Sequence, residues 1–146
     1  MSQILNLFNS VGPEQFTATV CQIAPYFSSI QPSVTALRPG YAEATVPLRR
    51  EVTNHLGTMH AIALCNVAEL VAGTMTDASI PEGYRWIPKG MTVEYLAKAK
   101  TDIRAVADGA AIDWAQAGDQ VVPVDVFDTA GQKVFAARIT MNVKAA

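Results

Sequence analysis

The chain has 146 residues, of which 50% are hydrophobic and 16% charged, with a formal net charge of −2. That length suits one domain with a sizeable core, and the composition excludes a disordered chain. Two cysteines, Cys21 and Cys65, exclude a disulfide scaffold, and 11 scattered Lys and Arg argue against nucleic-acid binding.

Other classes fall away as quickly. The most apolar stretch, Ala61 to Ala72, is interrupted by Asn66 and Glu69 and is short of the ~20 residues of a membrane span. The N-terminus MSQILNLFNS carries no basic region and no long apolar run, so it does not read as a signal peptide. A cytoplasmic protein is expected, with no membrane and no nucleic acid among its partners. The low charge fraction points to surface buried between subunits, hence to a homo-oligomer.

In chain order, residues 1–28 read as helical. Leu5, Phe8, Phe16, Val20, Ile23 and Phe27 recur at helical spacings, punctuated by Gly12–Pro13. A hairpin follows, with Ser33–Arg38 and Tyr41–Leu48 around Pro39–Gly40. Residues 49–57 form a polar connection. A long helix is expected from near Thr58 to about Ser79, apolar on nearly every side and therefore buried. Its small residues, Ala61, Ala63, Ala68, Ala72 and Gly73, allow another backbone to come close. After Pro81–Gly83 the pattern turns to strands: one from Met91 to Lys98, one over Lys100–Asp108, then a hairpin of Gln120–Phe127 and Lys133–Val143. The order predicts an α+β domain over 1–146, a curved antiparallel sheet wrapped around one long central helix, with sheet and helix inside 30–144.

The polar residues around the central helix carry the chemical information. Glu69 has Cys65, Asn66, Ala72 and Gly73 as its helical neighbours, and none carries a charge that could form a local salt bridge. Such a group is costly unless paired or used, and burial would move it toward a general base. The plainer reading sets it in a wet groove or against a distant Lys or Arg. The helix start offers unpaired N–H groups and the positive end of the dipole near Met59, His60 and Ala61, suited to an oxyanion. His60 and Glu69 cannot meet within one chain: nine residues put them on opposite faces and ~13 Å apart along the axis. A shared site needs a second subunit packed about a two-fold axis. His55 and His60 lack the spacing of a zinc motif, and no metal is expected. Cys65, mid-helix among apolar residues, reads as an inert thiol.

The segment Asn54–His55–Leu56–Gly57–Thr58–Met59–His60–Ala61, followed by Glu69, resembles the hotdog-fold acyl-CoA thioesterases. The branch it resembles holds the phenylacetate-pathway and 4-hydroxybenzoyl-CoA enzymes, and it is closer still to an uncharacterised bacterial branch of hotdog domains. In that pattern an Asn precedes by six residues the His of an HGG motif, and an acid follows nine residues later. Asn54, His60 and Glu69 keep those spacings.

The resemblance implies a hotdog fold and hydrolysis of an acyl-CoA to an acid and free coenzyme A, with no cofactor beyond that substrate. It implies that Glu69 is the general base or nucleophile, that the Ala61 N–H is the oxyanion donor, that Asn54 positions the attacking group, and that His60 supports the helix start. Glu69 would come from the other subunit of a dimer or dimer of dimers. Gly57 falls at the substrate, and Lys89, Lys98, Lys100 and Arg104 are the candidates for the coenzyme A phosphates. Two departures stand out. Ala61 and Ile62 replace the two glycines, and Ile87–Pro88 falls where a small polar residue orients water, leaving Thr92 or Thr74 as substitutes. The alternative reading is a hotdog protein that binds acyl groups or acyl carriers without catalysis; the His–acid pattern of hydratases of this fold is not seen.

Overall fold

The computed structural model describes residues 2–146. Helix α1, Gln3–Ile23, opens on Ser2, whose hydroxyl accepts the Leu5 N–H, and bends at Gly12. A 3₁₀ turn over Pro25–Ile30 leads into strands β1, Ser33–Arg38, and β2, Tyr41–Val46. Helix α2 spans Ala61–Ser79. Strands β3, Tyr84–Tyr95, β4, Ile103–Asp108, β5, Gly118–Asp128, and β6, Lys133–Ala145, complete the chain. All pairings are antiparallel, in one six-stranded sheet of order β1-β2-β4-β5-β6-β3.

The expected architecture is present: the sheet curves around α2, which touches all six strands. Side-chain size explains how the helix fits. Opposite α2, β2 and β4 present Ala42, Ala44, Ala105 and Ala107, all fully buried, while β5 and β6 present Val122, Val124, Phe135, Ile139 and Met141. Small alanines on β2 and β4 and larger residues beside them fill the concave face against the helix. The buried face of α2 answers with Val67, Leu70, Val71 and Met75. By length and composition α2 is apolar enough to cross a membrane, with a mean hydropathy of 1.2, yet 72% of that window is buried inside this fold.

Several boundaries differ from the sequence reading, each for a visible reason. The helix begins at Ala61 rather than Thr58, because Met59 N–H bonds to Ala99 O and His60 N–H to Val52 O. Strand β2 stops at Val46, before Leu48, whose N–H turns to Asp102 Oδ1. Strand β3 starts seven residues before Met91, at Tyr84, and carries a bulge between Pro88 and Gly90. The small residues of α2 also have a different use. Ala63, Ala68, Ala72 and Gly73 are buried within this one chain rather than held ready for a second helix.

Two polar devices hold the outer strands. Thr17 of α1 donates to Pro13 O and accepts the Val34 N–H at 2.9 Å, so α1 covers the β1 edge. On the outer face Glu43 accepts from Arg104 Nη1 at 2.9 Å, Thr35 Oγ1 at 2.9 Å and Tyr41 OH, and the Arg104 guanidinium lies over Phe127. This fastener crosses β1, β2, β4 and β5. Burial pushes the Glu43 carboxyl up, but the hydrogen bonds from Arg104, Thr35 and Tyr41 and the Arg104 charge outweigh it and hold it below its ordinary value.

Thr17→Val removes an acceptor from a buried N–H while keeping the shape. It should destabilise the fold by roughly 1–2 kcal/mol and speed amide exchange at Val34, read by thermal melting and hydrogen exchange. For Glu43 the folded value is depressed, so its stabilisation is complete above the unfolded value of 4.5 and is lost as pH falls through the folded one. Glu43→Gln should therefore lower the melting temperature at pH 7 by a few degrees, about 1 kcal/mol once the half-exposed Arg104 is allowed for. That difference from the parent protein should shrink steadily below about pH 4.

Candidate active site

The start of α2 is built by three short connections. Residues Asn54–Thr58 form a tight loop in which Asn54 Oδ1 accepts the N–H groups of Leu56 at 2.9 Å and Thr58 at 3.2 Å, while Asn54 Nδ2 donates to Thr58 Oγ1. Gly57 sits in this loop with φ of 78°, a conformation that glycine adopts freely. The Met59 N–H to Ala99 O bond ties the loop to the segment after β3. His60 is then the N-cap rather than a first-turn residue: its Nδ1 accepts the Ile62 N–H at 3.0 Å. The neutral ring therefore carries its proton on Nε2.

This capping divides the first-turn amides. The Ile62 N–H is spent on the His60 ring, and the Leu64 N–H on His60 O. The Ala61 N–H has no acceptor among the described residues. Ala61 lines a groove of about 350 Å³ together with Asn54, Leu56, Leu64, Tyr95 and Lys98. A free amide at the positive end of a 19-residue helix, in a residue that lines a groove, is suited to an oxygen that gains negative charge.

Glu69 lies elsewhere. It is exposed in the single chain, without an ion pair among the described residues, so the plainer expectation of a solvent-facing groove describes it and the expectation of burial does not. Its groove, about 340 Å³, runs between α2, α1 and β3 past Ile23, Phe27, Gly73 and Trp86. Within one chain, then, the fold does not bring Glu69 to Ala61 and Asn54, as their separation along the helix requires.

The remaining candidates scatter. Lys98 borders the Ala61 groove, and Lys100 is exposed nearby in sequence. Lys89 is paired with Asp119 at 2.9 Å, and Arg104 belongs to the Glu43 fastener on the outer face. Pro88 does line the Glu69 groove but offers no hydroxyl. Of the two proposed substitutes, Thr74 lines the Glu69 groove with its Oγ1 donating back to Leu70 O, and Thr92 is an exposed residue of β3 opposite Arg138. Burial pushes the Cys65 thiol up, away from a reactive thiolate. Among the described residues no cluster of His, Cys, Asp or Glu has the makings of a metal site.

Two features escaped the sequence reading. One is the wall that α1 and the 3₁₀ turn raise beside Glu69, through Ile23 and Phe27. The other is the contact of Trp86 with Gly73, where a Cβ would lie 3.0 Å from the indole ring. Local periodicity marks Phe27 and Trp86 as apolar but carries no sign of which groove they line.

Comparison with known proteins now adds the family. Residues 12–143 match the model of a domain of unknown function, DUF4442. No curated protein matches the chain. A crystal structure of a genomics target is 62% identical, with a TM-score of 0.91, and covers 99% of this chain and 97% of that one. A thioesterase from Haemophilus influenzae is 17% identical with a TM-score of 0.78, covering 90% of each chain. A thioesterase family protein from Silicibacter pomeroyi is 16% identical with a TM-score of 0.76, covering 88% of this chain and 96% of its own. At such identities the last two likenesses bear on the fold. The chain therefore belongs to the DUF4442 family and has the hotdog fold.

Proposed function

We propose that this protein is an acyl-CoA thioesterase whose active site is shared between two subunits. The observation that carries the reading is the unpaired Ala61 N–H at the start of a long buried helix, opening into the Asn54–Lys98 groove. The fold-level likeness to thioesterases supports the reaction class.

In the proposed reaction Glu69 of one subunit takes a proton from water, and the water oxygen bonds to the thioester carbon. The carbonyl oxygen becomes an oxyanion held by the partner subunit's Ala61 N–H. The carbon–sulfur bond then breaks, and the thiolate leaves with the proton from Glu69, giving an acid and free coenzyme A. A direct attack by the Glu69 carboxylate, with water cleaving the resulting anhydride, balances equally. His60 acts as a positioning residue: by occupying the Ile62 amide it fixes the helix start around Ala61. Asn54 acts through the shape of its loop, because its side chain is already committed to Leu56 and Thr58. Gly57 lets that loop turn beside the substrate, and Lys98, on the groove rim, is the best placed of the cations for a coenzyme A phosphate.

The second subunit is argued from the surface. Strand β3 is the open edge of the sheet, and Ile87, Met91, Tyr95 and Leu96 leave apolar surface on or just beyond it, 39 to 62% exposed. An edge of this kind pairs readily with its own copy, which would bring two α2 helices side by side. Non-catalytic acyl binding is the second reading, favoured by the exposed Ile62 side chain where the thioesterase pattern has a glycine.

Two substitutions test the chemistry. Glu69→Gln should lower kcat on the best acyl-CoA by at least ~10²-fold with the fold intact. Ala61→Pro deletes the N–H itself, and proline is at home at the first helical position after an extended residue such as His60, ψ 138°. It should keep the melting temperature within a few degrees and cost ~10²–10³ in kcat. Full turnover in either variant contradicts the role given to that residue. Light scattering should give the mass of a dimer or of a dimer of dimers at micromolar concentration; a monomer that hydrolyses thioesters would contradict the shared site.

A further inference from the structure

The groove beside Glu69 has a composition that the proposed reaction does not by itself require. Its walls are apolar: Ile4, Ile23 and Phe27 from the N-terminal segment, Leu70 and Gly73 from α2, and Trp86 from β3. Its volume, about 340 Å³, is of the size that holds a small ligand. Two charged groups touch it, Glu69 and Asp77, both acids, and no Lys, Arg or His is among the described residues that line it.

These two acids lie in line. Glu69, Gly73 and Asp77 follow one another at four-residue spacing on one face of α2, so the second carboxylate is ~12 Å beyond the first along the axis. Between them the indole of Trp86 sits on Gly73, and Trp86 Nε1 donates to Asp77 Oδ1 at 2.9 Å. That bond fixes the ring against the helix and leaves the rest of the Asp77 carboxylate without a cationic partner among the described residues. Thr74 adds no donor, since its hydroxyl is turned to Leu70 O.

We infer that this groove seats a neutral, apolar acyl tail running from Glu69 toward Trp86, and that Asp77 bars tails ending in a carboxylate. The inference rests on the thioesterase reading for the direction of the tail, because it places the thioester carbon at Glu69. An apolar tail gains from leaving water for Phe27, Leu70 and Trp86. A tail with a terminal carboxylate would bring a second negative charge to Asp77 in a groove with no cation to meet it, which is costly. Asp77 and Trp86 are then specificity-determining residues, and Gly73 is the opening through which the indole reaches the helix.

The test compares octanoyl-CoA with suberoyl-CoA, the same eight-carbon acyl group with a terminal carboxylate. The parent protein should favour octanoyl-CoA by at least ~10²-fold in kcat/KM. Asp77→Asn keeps an acceptor for the Trp86 N–H and should narrow that ratio at least ~10-fold by improving suberoyl-CoA. An unchanged ratio overturns the role of Asp77. Binding is read separately, with octan-1-ol as a neutral probe and tryptophan emission as the signal. The emission should shift in the parent protein and not in Trp86→Phe, which leaves only Trp114 to report. Gly73→Ala, which presses on the indole, should weaken octan-1-ol binding several-fold, and thermal melting confirms that each variant is folded. A shift that persists in Trp86→Phe overturns the site. Failure of the two readings can be told apart: Trp86-dependent octan-1-ol binding without turnover of any thioester upholds the groove and sinks the hydrolase. Turnover of octanoyl-CoA with no octan-1-ol signal and an unchanged acyl ratio does the reverse.

Discussion

The burial of α2 in the hollow of the sheet is the constraint on which the rest of the molecule depends. The helix is too apolar to stand in water, and the sheet, with one face of alanine, valine and isoleucine, is equally unable to stand alone. Each supplies what the other lacks. The fit is set by the alanines of β2 and β4, because larger side chains there would lift the helix off the sheet, while both of its ends are fastened to the connections around it. At the first end Met59 and His60 bond to Ala99 and Val52; at the last, Ser79 Oγ accepts the Gly40 N–H. A helix pinned in this way holds Ala61 and Glu69 at fixed heights, so the separation of the two candidate groups is a property of the core rather than of a loop.

Much of the fold can be read in the residues. The β1 and β2 hairpin, the buried helix and the final pair of strands follow from alternation, helical spacing and the turn residues Pro39–Gly40 and Asp128–Gly131. What cannot be read is where the backbone bonds go. Nothing in Thr58–Met59–His60 as a sequence announces that these N–H groups serve Asn54, Ala99 and Val52 instead of a helix. The early part of β3 is hidden for another reason. Pro88 and Gly90 break the pattern, and Tyr84–Tyr95 is mostly exposed in one chain, so no alternation of burial marks it.

The candidate site is legible to a similar degree. Asn54, His60 and Glu69 stand out because polar residues around an otherwise apolar helix need an explanation, and Ala61 because it stands at the start of that helix. Their division of labour is not visible in the spacing alone. His60 acts on the Ile62 amide and Asn54 on its own loop, and both facts depend on hydrogen bonds closed by the tertiary structure. Lys89 and Arg104 look like free cations in the sequence, and each proves to be matched to an acid: Lys89 to Asp119 of β5, across β6, and Arg104 to Glu43 of the neighbouring β2.

The Thr17 hydroxyl that takes up the Val34 N–H has a meaning beyond stability. A sheet with two open edges is a seed for a fibre, because each added copy exposes a fresh edge to the next. Here α1 lies along β1 and one margin of the sheet is closed, while β3 at the other margin is bare. Strand addition from such a molecule is a one-time event: two copies joined through β3 would present only capped margins to the solvent. In the proposed pairing through β3 the N-terminal helix would act as a chain terminator, limiting an exposed apolar edge to a closed, two-fold assembly instead of a polymer.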